Sequence, residues 1–445
     1  MGQRLMMKLG LFVAERGHHI AAWRDPAAEL AGDVDFSYYA NIASIAERGC
    51  LDFLFNADIA GPSGAYSAER LRRTTGASRV EPLTLLSAMS SVTRHIGLIA
   101  TMSTTYYEPF HIARFFAGLD QLSGGRVGWN VVTTYAEGEA GNFGREVHLS
   151  HDERYERAKE FTEVVLGLWD CWEDGSIVAD KETGIFLDSE KLHPLNHQGE
   201  HFAVRGPLTV GRSAQGQPVI VQAGQSEMGR DFAARTAEVI FTVQQELEEA
   251  RDFHADIQNR AASFGRARNA IRIMPGLVPI VGATMEEAAE KYEKLQSLIH
   301  PDLGISLLSH ILGFDLSGYP VDGPLPDLPL SNAQQGRQKL VTDLARRESM
   351  TLRQLYMRVG GVRAHLTLCG TPDYIADIME DWVACAAADG FNILPPTLPQ
   401  GLEDFVGHVI PELQRRGLFR TKYEGRTLRD HLDLPVPVSK WSSVR

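Results

Sequence analysis

Two short stretches place polar side chains where a chain turning from strand to helix has unpaired backbone N–H groups. The first, Ser150-His151-Asp152-Glu153-Arg154-Tyr155, offers a hydroxyl cap, a histidine and a tyrosine four residues apart on one helical face, and an arginine beside them. The second, QAGQSEMGR (222–230), puts a glycine turn after an apolar run, then Ser226 as a cap and Arg230. Free N–H groups and the helix macrodipole both favour an anion at such a place, a phosphate above all. Helix capping alone explains either stretch; the two together point to an anion site. Other polar residues also sit at the ends of apolar runs. They are Asn56 and Asp58, Ser103 to Thr105, Trp129, Asn130, Thr133 and Thr134, Gln222 to Ser226, and Gln244. One such residue means little, but amides and hydroxyls from five runs on one rim predict a polar heteroaromatic ligand.

The elements that must position these residues are short apolar runs alternating with segments of helical period. The strands are expected at LGLFV (9–13), DFLFNAD (52–58), IGLIATMS (96–103), RVGWNVVT (126–133), PVIVQAG (218–224), VIFTVQ (239–244), IRIMPGLVPIVG (271–282) and FNILPP (391–396). Helical segments over 37–48, 81–94, 111–122, 152–172, 228–237, 247–264, 284–299 and 372–389 separate or follow them. Runs apolar on both faces, joined by helices, mean parallel βαβ units. Eight units predict a closed (β/α)8 TIM barrel with its ligand site at the C-terminal ends of the strands. The whole of 1–445 reads as one such domain. The excess over about 250 barrel residues falls in insertions at about 173–217 and 300–365 and a C-terminal extension from about 400. Capping boxes are expected at Ser150–Glu153 and Thr284–Glu287, and Thr371-Pro372 marks another helix start.

Composition narrows the chemistry. Of 445 residues 44% are hydrophobic and 23% charged, with a net charge of −13, which argues against a phosphate-tracking nucleic-acid binder. The four cysteines share no CxxC spacing and read as buried or inert thiols. No apolar run reaches membrane-spanning length, and the N-terminus reads as a first strand rather than a signal peptide, so a cytoplasmic protein without membrane contact is expected. No dinucleotide or triphosphate glycine motif, no nucleophile elbow and no helical histidine pair with a carboxylate occurs, and no metal is expected.

Several segments together resemble the nitrilotriacetate monooxygenase group of the bacterial luciferase-like flavin-dependent monooxygenases. They are NAD (56–58), TMSTTYYEPFHIARFFAGLDQLSGGRVGWNVVTT (101–134), NFG (142–144), SHDERYERAKEF (150–161), HQGEHFAVRGPL (197–208), QAGQSEMGRDFAARTAE (222–238) and GFDLSGYPVDGPLP (313–326). The resemblance implies FMN as cofactor, O2 as co-substrate, and transfer of one oxygen atom to a small organic molecule through a peroxyflavin. It also implies a partner, an NAD(P)H:flavin oxidoreductase that supplies the reduced flavin, and a homodimer or dimer of dimers. FMN positions carried over by the resemblance are Asp58, Thr104, His151, Tyr155 and Ser226, with Ser150 and Arg154 next to the phosphate. Rim residues complete the expected cofactor-binding set: Ser103, Asn130, Thr133, Gly224 and Glu227. Trp129 is expected to line or support a dry pocket under the ring.

His18 and His310 are the expected catalytic residues, with His19 and His111 as further candidates, since imidazole exchanges protons near neutrality. Relatives act on aminopolycarboxylates such as nitrilotriacetate, sulfur heterocycle sulfones, alkanes, chlorinated aromatics and antibiotic precursors. Ala14 stands where some alkane-oxidising relatives carry cysteine, which argues against an alkane. The stretch 65–79, with Arg70, Arg72, Arg73 and Arg79, reads either as a lid clamping an anionic substrate or as a solvated basic loop. Two other readings stay open on the same fold, a deazaflavin-dependent oxidoreductase and a non-catalytic flavin-binding protein.

Overall fold

The computed structural model describes residues 6–28, 34–61, 71–75, 78–134, 136–329, 335–361 and 364–441. Each expected apolar run becomes a strand. In chain order these are β1 (Lys8–Val13), β2 (Phe53–Asn56), β3 (Gly97–Ser103), β4 (Val127–Val132), β5 (Val219–Gln222), β6 (Val239–Thr242), β7 (Arg272–Val281), an unexpected β8 (Leu366–Gly370), and β9 (Gly390–Ile393). Parallel pairing runs β1 to β7 in order, then to β9 and back to β1, which closes a (β/α)8 barrel. β8 stands outside the closure and pairs only with the second half of β7, from Leu277↔Leu366 to Val281↔Gly370.

The helices follow the expected pattern: α1 (Phe36–Arg48), α2 (Pro82–Val92), α3 (Pro109–Ser123), α4 (His151–Trp169), α5 (Glu227–Thr236), α6 (Leu247–Ser263) and α7 (Met285–Ser297). The excess at 300–365 contains α8 (Pro301–Leu312), α9 (Gln335–Arg347) and α10 (Leu352–Gly360), packed around a separate apolar cluster, and α11 (Pro372–Ala384) resumes the barrel layer. The excess at 173–217 forms two small antiparallel hairpins, Ile177–Asp180 with Ile185–Leu187 and His197–Gln198 with Ala203–Val204. At Ser150 the capping box is complete: Ser150 Oγ accepts Glu153 N–H at 3.4 Å and the Glu153 carboxylate accepts Ser150 N–H at 2.9 Å. Thr284 makes only half of one, because the Glu287 carboxylate accepts Ala283 N–H instead.

Alternation along the strands separates two cores. Leu9, Leu11, Leu54, Leu98, Trp129 and Ile393 face the helices, whereas Phe53, Phe55, Ile99, Val221, Phe241 and Met274 fill the barrel. Gly10 leaves the space that Phe53 occupies; a Cβ there would stand 2.1 Å from the Phe53 ring. The C-terminal extension does more than add length. Its short helix Leu428–His431 inserts Leu428 and Leu432 into the barrel core from the N-terminal side, and a Cβ at Gly97 would collide with Leu428. The plug is pinned by charge. Arg429, 1% exposed, forms a two-pronged bond with Glu238 at 2.6 and 3.0 Å and also donates to the Gln217 and Pro435 carbonyls. Arg420 pairs with the fully buried Asp52, and Lys8 Nζ donates to the His431 carbonyl at 2.9 Å.

Removing one partner of a buried pair strands the other. Arg429→Met should therefore lower stability by about 3 kcal/mol, read from the urea midpoint at constant slope. A loss below about 0.5 kcal/mol would show that the plug is not held by this pair.

Candidate functional site

A cavity of about 350 Å3 opens at the C-terminal ends of the strands. Asp58, Asn130, Thr133, His151, Arg154, Tyr155, Gly224 and Ser226 line it, as do His18 and His310. One part of its wall joins the starts of α4 and α5. There Ser226 Oγ caps α5 by accepting Gly229 N–H at 3.2 Å and lies 3.3 Å from His151 Nε2. The Tyr155 hydroxyl bonds with Ser226 and Thr133, and its pKa is raised by burial. The backbone approach is close: a Cβ at Gly229 would stand 2.9 Å from Tyr155 Oη. Arg154 is 2% exposed; its Nη1 donates to the Leu149 carbonyl at 2.8 Å, while its buried Nε has no hydrogen-bond partner among the described residues. Burial lowers its pKa, yet an arginine stays charged. A buried guanidinium with an unused donor, beside two helix starts, suits an anion.

Next along the wall, Asn130 Nδ2 donates to Thr101 Oγ1 at 2.8 Å and leaves Oδ1 buried without a partner among the described residues. Asp58 is raised to about 6, first by burial, against the opposing pull of Arg79. The apolar part of the lining is aromatic. Phe12 meets Phe55 at 5.0 Å and Phe241 at 5.6 Å, His18 sits edge-on to Phe12 at 4.5 Å, and His365 stacks on Phe241 at 5.3 Å. His18 Nε2 donates to the Phe12 carbonyl at 2.9 Å. Helix α8 adds Leu307, His310 and Ile311.

Other expected residues lie elsewhere. Ser103 Oγ bonds to Thr134 Oγ1 at 2.5 Å and lines a smaller adjoining cavity. Thr104 is fully buried and donates to the Val132 carbonyl at 3.2 Å. Ser150 is engaged in its capping box, and Glu227, mostly exposed, pairs with Arg260 at 2.7 Å. Of the two expectations for Trp129, that it line or support the pocket, the first fails: it is absent from the lining. It points away from the cavity, packs between Phe116, Phe161 and Trp169, and donates Nε1–H to the Met102 carbonyl at 3.1 Å. His19 is buried beside Gln296 and His111 is on the outer surface of α3. Arg79 lines the cavity and pairs with Glu15 at 3.2 Å, Arg73 reaches Asp302 at 3.7 Å, and Arg70 lies outside the described residues. Phe12, Phe55, Phe241 and His365 were not anticipated. Alternation along the strands was signal enough for the phenylalanines; His365 had none.

Comparison with known proteins settles the lineage. The luciferase-like monooxygenase family model matches residues 15–389. The chain belongs to that family. Its relatives include N-acetyl-S-(2-succino)cysteine monooxygenase of Bacillus subtilis (strain 168), 52% identical and covering 99% of each chain. Nitrilotriacetate monooxygenase component A of Aminobacter aminovorans is 50% identical and covers 98% of each. Among solved structures, a riboflavin lyase with modified FMN and riboflavin superposes with a TM-score of 0.86 at 32% identity, over 96% of this chain and 95% of that one. The protein is thus a monooxygenase of the luciferase-like type, on a (β/α)8 barrel. Among the described residues, no helix is long and apolar enough to cross a membrane.

The Asp58 carboxyl has a higher pKa folded than unfolded, so its ionisation destabilises the fold as pH rises from about 4 to about 6. Asp58→Asn should then stabilise the protein at pH 8 by roughly 1–3 kcal/mol, with no gain below about pH 4. Melting curves across that range check both limits.

Proposed function

We propose that this monooxygenase is the oxygenase component of a two-component system. It takes reduced FMN from a separate NAD(P)H:flavin oxidoreductase and uses O2 to oxidise a small carboxylate-bearing substrate. The observation that carries the reading is the wall where two helix starts, Arg154 and Tyr155 meet at the strand-end cavity. Arg154, Tyr155, Ser226, His151 and the backbone near Gly224 would hold the phosphate dianion. Asn130, with its unused Oδ1, and Thr133 and Asp58 would meet the ribityl hydroxyls and the ring edge. FMN, when bound in reduced form, would supply the electrons that activate O2, one atom of which goes to the substrate. The chain's own work is to hold it, keep the phenylalanine-lined wall dry and admit substrate. His18 and His310 line the cavity and would be its proton-exchanging groups. Ser103, Thr104, Ser150 and Glu227 would support this set from behind.

Substrate class rests on the Arg79 guanidinium at the cavity, with the imidazoles of His18, His310 and His365 beside it as hydrogen-bonding groups. It is also supported by the two relatives above, whose named substrates both carry several carboxyl groups. An aminopolycarboxylate such as nitrilotriacetate fits. The same reading takes the chain as one barrel domain with insertions, acting in the cytoplasm as a homodimer or dimer of dimers.

Purified protein supplied with a flavin reductase, NADH, FMN and O2 should oxidise such a substrate. Arg154→Ala should weaken reduced-FMN binding by about 1.5–3 kcal/mol, or roughly ten- to a hundredfold. Absence of binding at high micromolar reduced FMN in the wild type would sink the proposal, and turnover with a deazaflavin but no O2 would replace it. Arg79→Gln should raise KM for a carboxylate substrate several-fold with little change in kcat; an unchanged KM would remove Arg79 from substrate binding.

A further inference from the structure

Behind the wall that carries Asp58 lies a second cavity of about 70 Å3, large enough to hold water. Asp58, Thr101, Val132 and Thr134 line both spaces and form the partition between them. Thr134 holds a left-handed backbone there, with φ at 48°, and its hydroxyl is tied to Ser103. Glu139 also lines the small cavity, from the short turn Glu137–Phe143. It is 5% exposed, its carboxylate accepts the Ala60 N–H, and among the described residues it forms no ion pair. Nothing in the proposed flavin chemistry has used it.

A carboxylate buried with one hydrogen bond and no cation is costly to ionise. Burial first, and then the charge of Asp58, pushes Glu139 up to about 7, while Asp58 itself is pushed up to about 6. The other groups facing this pair are Tyr106 and Tyr107 from the loop after β3, Arg79 and Glu81 beside Asp58, and Arg145 and Arg154 beside Tyr106. Two carboxyls of similar acidity on one water-sized space can exchange a proton with little driving force either way.

We propose that Glu139 is an internal proton reservoir for the site, passing its proton through water in the small cavity to the Asp58 carboxylate at the wall of the large one. This rests on the FMN reading above. The reaction consumes one proton, which the reservoir would deliver inside the site: anionic reduced FMN, O2, substrate and one proton give oxidised FMN, oxygenated substrate and water. In the relay Glu139 becomes a carboxylate as Asp58 becomes a carboxylic acid, and the bridging water gives one proton and takes one. Asp58 then releases the proton to the oxygen that leaves as water, and solvent reloads Glu139. Glu139 acts only through Asp58 and is a positioning residue for the proton.

Infrared titration of the flavin-free protein tests the reservoir directly. A protonated carboxyl band that disappears in Glu139→Gln should titrate near pH 7. In reductase-coupled turnover Glu139→Gln should lower kcat about tenfold or more and flatten its pH dependence between about 6 and 8. Its Kd for reduced FMN should stay within about twofold of wild type, and Glu139→Asp should restore part of kcat. An unchanged pH profile in Glu139→Gln, or a Glu139 carboxyl titrating near an ordinary glutamate value, overturns the relay. Wild-type protein that binds no reduced FMN overturns the cofactor reading instead, and the infrared titration still reports Glu139 on its own.

Discussion

In a closed parallel barrel every strand is buried on both faces, so the two-residue alternation decides which chemistry each side chain meets. Along β4 that rule sends Trp129 outward into the helix layer and Asn130 inward to the cavity, though they are neighbours in sequence. The interior also has two unequal ends. Toward the N-terminal end it is filled by Phe53, Ile99, Met274 and Leu428, where a polar group would have no partner. Only at the C-terminal ends does it open enough for Asn130, Thr133 and Gln222 to face a space. The position of the site thus follows from closure of the sheet and from the plugging of its opposite mouth.

Much of this was legible beforehand. The eight barrel strands were visible because burial on both faces demands unbroken apolar runs, and the helix starts because Ser150 and Thr371 supply caps in recognisable settings. The two capped helix starts that meet at the cavity wall were legible for the same reason: caps, a following basic residue and a glycine turn are local signals. Failures came where the deciding contact is distant in sequence. The β8 run LTLCG is short, includes Thr367 and Cys369, and is a strand only because the overlong β7 offers it an edge. Ser103 and Thr104 have the right types at a strand end, but the Ser103 hydroxyl is tied to Thr134 and Thr104 is buried against Val132. His365 follows α10 and reaches the cavity only because Gly276 leaves room for its ring.

The site also shows how little the overall charge says about a local environment. The chain is acidic by thirteen charges, yet the cavity gathers Arg79, Arg154 and four histidines. Beside them, desolvation holds Asp58 and Glu139 closer to the neutral state than exposed carboxyls would be. One wall therefore carries a buried guanidinium with an unused donor, and its neighbour carries two carboxyls held close to neutrality. The separation is achieved by packing, with β2, β4 and the turn at Glu137–Phe143 setting the partition.

The plug at Leu428–Leu434 follows every barrel strand in the chain. All of the barrel strands have left the ribosome before Leu428 does, because β9 ends at Ile393. Until residues 420–434 arrive, the N-terminal mouth lacks its plug, and Asp52 and Glu238 lack Arg420 and Arg429. A barrel that closes before residues 420–434 are made exposes an apolar throat and two uncompensated carboxylates. The mouth opposite the cavity is thus sealed by a segment made after every barrel strand, so the order of synthesis runs from wall to plug.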